Sequence, residues 1–478
     1  MLHCEMLIGG HMIGGPCDQA VGKQVVKAPY DGKVVGTAAE GDGKDLQAAV
    51  EAAHEAFQSW RNSPRRDRQA LLRRIAALVR ERRSELAEIL TLEVGKPVVW
   101  SEGEVQRLAV TFEDAADEIA HFGLEQLPVD LDARGDGYRL TVERFPIGVI
   151  LGIVPYNWPF NLAAHKLAPA LATGNTIVLK PSQQAPLSTL TLARLIHDAG
   201  CPPGVLNAVN VPSKDVLAIA RGALVKMVSF TGSPAVGWML KKELSEKRVS
   251  LELGGNATAI VAEDADLDWA IPRLVAGGYG YAGQICIAIQ HVLVHRSRYE
   301  ETKKRLIEGV LDCPRGDPED RKVVCGPMIS ADAAAKVMDW IEEAVRLGGD
   351  LLAGGKREGN VVLPTLIENV PDSARLSCQE VFGPVLTLAA YDTLDDAIAR
   401  VNASDYGIHC GIFTANLKIA ERAFREIEVG GVIVGDYPTL RFDNMPYGGV
   451  KRSGFGREGV RYAMEEMTEP KAMLVRTL

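Results

Sequence analysis

Residues 147–179 read I-G-V-I-L-G-I-V-P-Y-N-W-P-F-N-L-A-A-H-K-L-A-P-A-L-A-T-G-N-T-I-V-L and set the fold class of this chain. Ile147–Val154 is a nearly continuous apolar run, which predicts a strand buried on both faces. A helix is predicted over Asn161–Ala172, with Gly174 ending it, and Thr176–Leu179 predicts the next strand. Apolar strands that alternate with helices indicate an α/β protein with a parallel sheet covered on both sides.

The alternation continues downstream in two series, which predicts two α/β domains with a boundary near Leu253–Asn256. The first series adds a helix over Leu187–Ala199 and strands over Val205–Val209 and Lys226–Phe230. The second series has predicted strands at Ala257–Val261, Gln290–Val294, Val385–Ala390 and Gly431–Val434. Its predicted helices are Asp266–Gly278, Tyr299–Val310, Ala331–Leu347, Leu394–Ala403 and Ile419–Glu428. In the first third of the chain, the periodicity predicts helices over Asp45–Trp60, Asp67–Leu90 and about Ser101–His121.

Two segments outside this alternation predict strands at a sheet edge. Tyr138–Phe145 alternates apolar and polar residues, as a half-buried antiparallel strand does, and the tail Lys471–Leu478 is also strand-like. Because open edge strands readily pair between chains, we expect an arm that joins the subunits of an oligomer.

The composition excludes several classes of protein. The 478 residues include 53 basic and 62 acidic side chains, for a net charge of -9, without the clustered basic face that binds a phosphate backbone. No nucleic-acid partner is therefore expected. The longest apolar run, Ile147–Val154, is too short to span a bilayer, so no membrane association is expected either. The 8 cysteines are scattered without a C-x-x-C pair, which favours free thiols in a reducing compartment such as the cytoplasm.

Cys286 is the candidate nucleophile. It lies in A-G-Q-I-C-I-A-I (282–289), after a glycine-rich stretch and at the start of the alternating run Ile285–Val294. A free cysteine is more often a small buried apolar residue, but a thiol at the exposed start of a strand is placed for reaction. Upstream, Glu252 lies in the apolar segment L-E-L-G-G (251–255), where burial is expected to raise the pKa of its carboxyl and suit it to general-base catalysis.

Loops at predicted strand ends carry polar groups that fit a bound ligand. Asn157, after the first strand, can donate an amide hydrogen bond to an oxyanion. Lys180, after the next strand, can bind ribose hydroxyls. In F-T-G-S-P-A-V-G (230–237), a strand turns into a helix whose N-terminus favours a phosphate group. Glu380 and Phe382 lie together before another strand. Each of these residues, taken alone, also fits an ordinary turn or a solvated side chain.

Together these segments resemble the aldehyde dehydrogenase superfamily, in order and from end to end of the chain. The matching motifs are E-V-G-K-P (93–97), P-Y-N-W-P-F (155–160), G-N-T-I-V-L-K-P (174–181), F-T-G-S-x-x-x-G (230–237), L-E-L-G-G (251–255), G-Q-x-C (283–286), E-V-F-G-P (380–384) and P-Y-G-G-V-K-x-S-G-x-G-R-E (446–458). The resemblance implies a homodimeric or homotetrameric, NAD(P)-dependent enzyme with a Rossmann-like cofactor domain, a second α/β catalytic domain and a small β oligomerisation arm. The implied boundaries are 1–124 and 146–253 for the cofactor domain, 254–446 for the catalytic domain, and 125–145 with 460–478 for the arm.

The resemblance also implies a role for each matching residue. Cys286 would attack the aldehyde to give a thiohemiacetal, while Asn157 and the backbone N–H of Cys286 hold the oxyanion. Loss of hydride to the cofactor would leave a thioester, which water activated by Glu252 would hydrolyse, with Lys166 supporting proton transfer from Glu252. The residues implied to bind the cofactor are Tyr156, Lys180, Gln183, Gly232, Ser233, Gly237, Glu380 and Phe382, with Lys180 at the adenine ribose, Ser233 at the pyrophosphate, Glu380 at the nicotinamide ribose and Phe382 against the nicotinamide ring.

Two positions depart from the pattern of related sequences. Gln183 is neutral where many NAD-preferring relatives have glutamate, so NAD and NADP both stay candidates. Ile285 stands where relatives that oxidise acidic aldehydes often have arginine. Arg107 and Arg441 are the remaining candidates for binding an anionic or hydroxylated substrate, with salt bridges as the alternative role. Residues 441–463 look most like the lactaldehyde, glyceraldehyde-3-phosphate and phosphonoacetaldehyde dehydrogenases, which implies a small polar aldehyde.

Three other functions fit parts of the sequence. A CoA-acylating aldehyde dehydrogenase shares the fold but typically lacks the water-activating glutamate, so Glu252 argues against it. A non-catalytic, crystallin-like relative would not need Cys286, Glu252 and Asn157 intact. His291-x-x-x-His295 has the spacing of metal ligands, but it lies on a predicted strand with no third ligand nearby, so no metal is expected.

Overall fold

The computed structural model describes residues 2–16, 18 and 21–477. Its strands are β1 Leu2–Cys4, β2 Met6–Ile8, β3 His11–Ile13, β4 Gly22–Lys27, β5 Val34–Glu40, β6 Leu124–Leu127, β7 Tyr138–Pro146, β8 Val149–Ile153, β9 Thr176–Lys180, β10 Leu206–Ala208, β11 Val225–Thr231, β12 Arg248–Glu252, β13 Ala257–Val261, β14 Ile289–His295, β15 Asp350–Ala353, β16 Arg357–Glu358, β17 Val361–Val362, β18 Thr365–Glu368, β19 Val385–Tyr391, β20 His409–Phe413, β21 Gly431–Val434, β22 Gly454–Phe455 and β23 Thr468–Arg476.

The helices lie between these strands. They are α1 Gly43–Trp60, α2 Arg65–Glu81, α3 Arg83–Val94, α4 Val98–Glu118, α5 Pro159–Thr173, α6 Pro186–Asp198, α7 Val216–Arg221, α8 Pro234–Glu243, α9 Leu267–Tyr279, α10 Tyr299–Leu311, α11 Ala331–Arg346, α12 Arg375–Cys378, α13 Leu394–Asn402, α14 Leu417–Glu426 and α15 Val460–Glu466. Short 3-10 turns lie at Ala133–Gly135, Ser213–Asp215, Gly280–Gly283, Arg296–Arg298 and Lys451–Ser453.

Two large sheets organise the chain. The first has the order β22-β12-β11-β8-β9-β10-β2-β3, and its strands from β12 to β10 run parallel. The second has the order β15-β18-β19-β14-β13-β20-β21, and all its pairs except β15–β18 are parallel. Buried apolar side chains form a separate large cluster around each sheet. The predicted α/β fold with parallel sheets is confirmed, whereas the predicted domain boundaries stay predictions.

The strand order places a crevice at one point of the first sheet. The strand β8 pairs with β9 on one side and with β11 on the other, so the order reverses at β8. Ligands in open α/β sheets bind at the carboxyl ends of the strands next to such a reversal. The loops that follow β8, β9, β11 and β12 meet there.

The structure differs from the predicted elements where strands are short or helices bend. The predicted helix Asp67–Leu90 is two helices, because the backbone leaves the helical region at Arg82 (φ -95°, ψ 17°) while the apolar periodicity runs on. The described residues among the first forty form β1–β5, where the sequence analysis predicted no strand. Several of these strands have three residues, which is too few to display an alternating pattern.

The two predicted edge segments pair with each other. Strand β23 runs antiparallel to β7 along its whole length, from Thr468 opposite Pro146 to Arg476 opposite Tyr138, and β6 covers the other side of β7. The tail strand begins at Thr468, before the predicted start at Lys471, and Leu478 lies outside the described residues. This three-stranded sheet exposes the apolar side chains of Leu124, Leu127, Met473, Leu474 and Val475. Its role in joining subunits stays a prediction.

The state of the cysteines and the length and polarity of the helices also bear on the sequence predictions. The described cysteines are free thiols, and Cys17 lies outside the described residues. Within the described part of the chain, every helix is too short or too polar to cross a bilayer.

Candidate active site

Asn157 and the Cys286 segment meet at the carboxyl end of β8. The amide Nδ2 of buried Asn157 donates to the backbone carbonyl of Gln284, at 3.0 Å. The Gln284 side chain in turn accepts from the Tyr156 hydroxyl (3.3 Å) and from the backbone N–H of Ile329 (2.9 Å). Gln284 lies inside the G-Q-x-C motif, but the sequence did not indicate that it links the two loops. The predicted oxyanion amide therefore lies directly beside the nucleophile segment.

A left-handed turn presents Cys286. Tyr281, Ala282 and Gly283 have φ values of 50°, 52° and 66°, a region that costs L-residues strain. A Cβ at Gly283 would lie 2.3 Å from the carbonyl oxygen of Gly383, so only glycine fits there. Cys286 was expected at the exposed start of a strand, but it lies partly buried in the turn before β14.

The Cys286 thiol is held by Tyr447. The two atoms Sγ and OH lie 2.8 Å apart, and the Arg441 guanidinium stacks on the Tyr447 ring, with Cζ 3.6 Å from its centre. Burial raises the pKa of Cys286 to about 11, while the Tyr447 hydroxyl and the charge of Arg441 act in the opposite direction. The resting group is therefore a thiol, and a base or a change of environment must accompany its attack.

Glu252 ends β12 as an isolated buried carboxyl. It is 4% exposed, and neither oxygen has a hydrogen-bond partner among the described residues. Burial, followed by the charge of Glu458, raises its pKa well above the ordinary value, and the charges of Arg441 and Lys166 only partly oppose this. The predicted raised pKa is confirmed. Burial thus favours the neutral form of this carboxyl, which weakens the negative charge in the surroundings of Cys286.

Lys166 bonds to Glu458 rather than to Glu252. Its Nζ lies 3.1 Å from Ser229 Oγ, 2.7 Å from Thr231 Oγ1 and 3.2 Å from Glu458 Oε1. Burial alone would raise the pKa of Glu458, but the charges of Lys166, His165 and Arg441 outweigh it and hold that pKa below its usual range. Glu458 ends the predicted motif 446–458, yet nothing in that motif indicated its contact with Lys166.

Both candidate arginines make salt bridges. Arg441 Nη2 lies 3.3 Å from Glu458 Oε2, and its Nε has no partner among the described residues. Arg107 holds Asp443 through Nε (3.2 Å) and Nη2 (2.6 Å), with its side chain 28% exposed. His165 Nε2 and Asn161 Nδ2 also lie 3.0 and 3.2 Å from Asp443. Asp443 thereby fixes Arg107 next to Trp158, whose ring centre lies 5.5 Å from the guanidinium.

The residues predicted to bind the cofactor lie in the same crevice. Lys180 Nζ is buried and contacts the Pro181 carbonyl (3.0 Å) and the Ser213 hydroxyl (3.5 Å), and burial lowers its pKa to about 8. Within the described residues no carboxylate pairs with this ammonium, which suits it to a ligand hydroxyl or phosphate. Gln183 is exposed, and its carbonyl accepts from the Gln24 side chain.

The turn at Gly232 and Ser233 opens toward solvent at the N-terminus of α8. Ser233 is the exposed N-cap residue and makes no side-chain capping bond, so its hydroxyl leaves the first N–H groups of α8 uncapped. A Cβ at Gly237 would lie 2.3 Å from Leu253 Cδ2, so this glycine lets α8 pack on the segment after β12. The arrangement fits the pyrophosphate of a dinucleotide.

Glu380 and Phe382 complete the other side of the crevice. Glu380 Oε1 accepts the backbone N–H of Gly255 at 2.9 Å, and a Cβ at Gly254 would collide with its carboxylate. Burial raises the pKa of Glu380 to about 7. The Phe382 ring meets the Tyr156 ring edge to face, with centres 6.1 Å apart. These groups leave a carboxyl and an aromatic face available to a ribose and a planar ring.

His291 and His295 do not form a common site. Both lie on β14, where residues four apart are separated by about 13 Å. Each ring has its own partner, since His291 Nδ1 contacts Thr387 Oγ1 at 2.7 Å and His295 Nδ1 contacts Ser297 Oγ at 2.8 Å. The two rings are too far apart to bind one ion.

Comparison with known proteins defines the class. The model of the aldehyde dehydrogenase family matches residues 18–473, and this chain belongs to that family. It is an oxidoreductase that oxidises aldehydes with a nicotinamide cofactor.

Particular relatives are similar over almost the whole chain. The 3-sulfolactaldehyde dehydrogenase of Priestia aryabhattai is 41% identical over 90% of both chains. Aldehyde dehydrogenase 21 of Physcomitrella patens, solved with its reaction product succinate, has a TM-score of 0.96 and 39% identity, covering 100% of this chain and 98% of its own. The glyceraldehyde-3-phosphate dehydrogenase GapN of Methanocaldococcus jannaschii, solved with NADP, has a TM-score of 0.91 and 36% identity over 95% of this chain and 99% of its own.

Proposed function

We propose that this protein oxidises small aldehydes that carry an anionic group, through an acyl intermediate on Cys286 that Glu252 helps to hydrolyse. The observation that carries the proposal is the convergence of Asn157, Cys286 and Glu252 with two guanidinium groups at the end of one sheet. Tyr447 connects the groups, because its hydroxyl contacts the Cys286 thiol and its ring carries Arg441.

The charge balance around Cys286 favours an anion. Arg107, Arg441 and Lys166 form salt bridges with only two carboxylates, Asp443 and Glu458, while burial raises the pKa of the nearby Glu380 to about 7 and so weakens its negative charge. Burial raises the pKa of Glu252 and so weakens its negative charge. An excess of positive charge in a poorly hydrated site favours a substrate with a sulfonate, carboxylate or phosphate.

Three of the related proteins carry the name of such a compound or were solved with one. One is named for 3-sulfolactaldehyde, one was solved with succinate, and one is named for glyceraldehyde 3-phosphate. Each compound combines a short carbon chain with one anionic group or more. We extend to this chain the shared chemistry, a short aldehyde with an anionic end.

Each residue has a separate role in the proposed reaction. The Cys286 thiolate adds to the aldehyde carbon, and the Asn157 amide with the Cys286 backbone N–H stabilises the oxyanion. Lys180, Ser233 and Glu380 would hold the nicotinamide cofactor, which would supply the acceptor for the hydride of the thiohemiacetal. Glu252 then takes a proton from the water that attacks the thioester. Its proton passes toward Glu458 and Lys166, which are already joined at 3.2 Å.

The anionic-substrate proposal predicts a difference between matched aldehydes. Succinate semialdehyde and butanal have the same chain length, but only the first has a carboxylate. We expect kcat/KM to be about 10- to 100-fold higher for succinate semialdehyde, since a hydrogen bond to a charged group contributes about 1.5–3 kcal/mol. Arg107→Gln keeps a donor for Asp443 but loses the charge, and it should raise KM for the carboxylate alone by about 10-fold. Equal changes for both aldehydes would contradict a role for Arg107 in binding the anion.

The neutral Gln183 predicts that NADP is a working cofactor. Gln183→Glu places a negative charge beside the expected position of a 2′-phosphate and should lower kcat/KM for NADP by about 100-fold, because like charges in contact cost several kcal/mol. Gln184→Glu makes the same charge change at the exposed neighbouring position. It should leave the ratio of kcat/KM for NADP to kcat/KM for NAD unchanged. Steady-state kinetics with both cofactors measures this. A wild-type kcat/KM about 1000-fold lower with NADP than with NAD contradicts the prediction.

A further inference from the structure

A buried ion pair lies behind the two loops that form the proposed oxyanion site. Lys96 lies in the turn between α3 and α4, and Glu104 lies on α4. Both side chains are fully buried and joined in a salt bridge. A buried ion pair of this kind contributes little net stability, because the cost of removing two charges from water is large. Its presence is therefore better explained by the geometry that it imposes.

Glu104 connects the pair to the Asn157 loop. Its Oε2 binds Lys96, and its Oε1 accepts the backbone N–H groups of Phe160 (2.9 Å) and Asn161 (3.0 Å). These are donors of the first turn of α5, whose own N-cap residue, Trp158, supplies no side-chain bond. The carboxylate thus fixes the point at which the loop 155–158 becomes a helix.

Lys96 connects the pair to both loops at once. Its Nζ lies 3.9 Å from the centre of the Trp158 ring and 4.8 Å from the centre of the Tyr281 ring, both within the range of a cation–π contact. Trp158 directly follows Asn157, and Tyr281 begins the left-handed turn that leads to Cys286. The Tyr281 hydroxyl also donates to the carbonyl of Val94, at 3.3 Å, next to the Lys96 turn.

From these contacts we propose that the Lys96–Glu104 pair is a positioning clamp that sets the separation of the Asn157 amide from Cys286 in the oxyanion site. The proposal rests on the proposed function, in which Asn157 and Cys286 bind the oxyanion. One ammonium touches an aromatic ring on each loop, and its partner carboxylate holds the helix that follows one of them. Without the pair, the strained turn and the Asn157 loop lose their common support.

The test separates acyl transfer from thiol reactivity. The double variant Lys96→Met/Glu104→Gln removes both charges together, so no lone buried charge is left, and the amide oxygen of the introduced glutamine keeps an acceptor for α5. We expect its hydrolysis of p-nitrophenyl acetate, which needs Cys286 and the oxyanion site but no cofactor, to fall about 10- to 100-fold, since a displacement of about 1 Å can cost 100-fold. Alkylation of Cys286 by iodoacetamide, which forms no oxyanion, should keep its wild-type rate.

The matched control is Glu93→Gln. Glu93 is also a buried carboxylate, and it accepts the N–H groups of Leu187 and Ser188 at the start of α6, which follows the proposed cofactor loop and neither loop of the proposed oxyanion site. Its loss should lower thermal stability while p-nitrophenyl acetate hydrolysis stays within about 2-fold of wild type. An effect of Glu93→Gln equal to that of the clamp variant overturns the proposal, because the loss would then be general.

A double-mutant cycle gives the decisive measurement. If the clamp acts through Asn157, then adding Lys96→Met/Glu104→Gln to Asn157→Ala should cause almost no further loss of hydrolysis. If the combined variant instead loses activity by the product of the two separate factors, the ion pair acts independently of Asn157 and the proposal is overturned. If the double variant does not fold, as judged by near-UV circular dichroism, Trp158→Leu keeps the ion pair, removes one aromatic contact and is expected to give the same pattern. If the Cys286→Ala variant hydrolyses p-nitrophenyl acetate as fast as the wild type, the result contradicts the proposed function and not the clamp.

Discussion

Replacing Cys286 by serine is expected to lower the rate of aldehyde oxidation by about 10⁴-fold or more, because removal of the nucleophile from a covalent enzyme has effects of this size. The serine hydroxyl fits the same space but is a far weaker nucleophile at neutral pH. The Tyr447 hydroxyl, 2.8 Å from Sγ in the wild type, keeps a partner in the variant. Loss of activity would therefore reflect chemistry and not packing.

Cys378→Ser is the control for this experiment. Cys378 is the exposed thiol among the described cysteines; it ends α12, and its Sγ contacts the Ala374 carbonyl at 3.4 Å and none of the candidate site residues. Its replacement should leave cofactor reduction unchanged. If Cys286→Ser retains more than about a tenth of the wild-type rate with every aldehyde tested, the thioester route proposed here is wrong.

Replacing Glu252 by glutamine is expected to separate the two halves of the reaction. The first turnover should still reduce about one cofactor per active site, after which steady-state turnover falls by about 10²- to 10⁴-fold, the usual contribution of a general base. Glutamine has the same shape, but it cannot accept a proton from the attacking water. Stopped-flow measurement of cofactor absorbance follows both phases.

The pH dependence of kcat gives a second measure of Glu252. Its pKa is raised by burial, so the carboxylate that activates water forms only as pH increases, and kcat should rise with pH on its acid limb. In Glu252→Gln this limb should disappear from the residual rate. Full steady-state turnover by the variant, or rescue of its turnover by added CoA, would favour a CoA-acylating enzyme instead.

The sequence predicted those site residues that lie at the ends of recognisable strands. Asn157, Lys180 and Glu252 each end or follow an apolar run, so their position next to the crevice follows from the strand order alone. Long strands such as β8 and β14 were predicted for the same reason. Short strands such as β1–β3 carry too few residues for any periodicity to appear.

The residues that sequence analysis missed depend on contacts between distant segments. Glu458 pairs with Lys166 across 292 positions of the chain, and Tyr447 meets Cys286 across 161. The motif containing them indicated that the segment 446–458 matters, but the partner of each side chain depends on packing between the sheets. The same is true of Asp443, which orients Arg107 from the far end of the chain.

The edge of the first sheet beside Glu252 is closed by β22, which follows all the other strands of that sheet in the sequence. Gly454 pairs with Glu252 itself, and the Ser453 carbonyl and hydroxyl bind the backbone of Leu253 and Gly254. The strands β8 to β12 therefore leave the ribosome before β22 can cover this edge, and an open edge strand is prone to aggregate. Nascent chains of this enzyme would need protection at that edge, and the backbone around Glu252 would be fixed only after β22 has paired with β12.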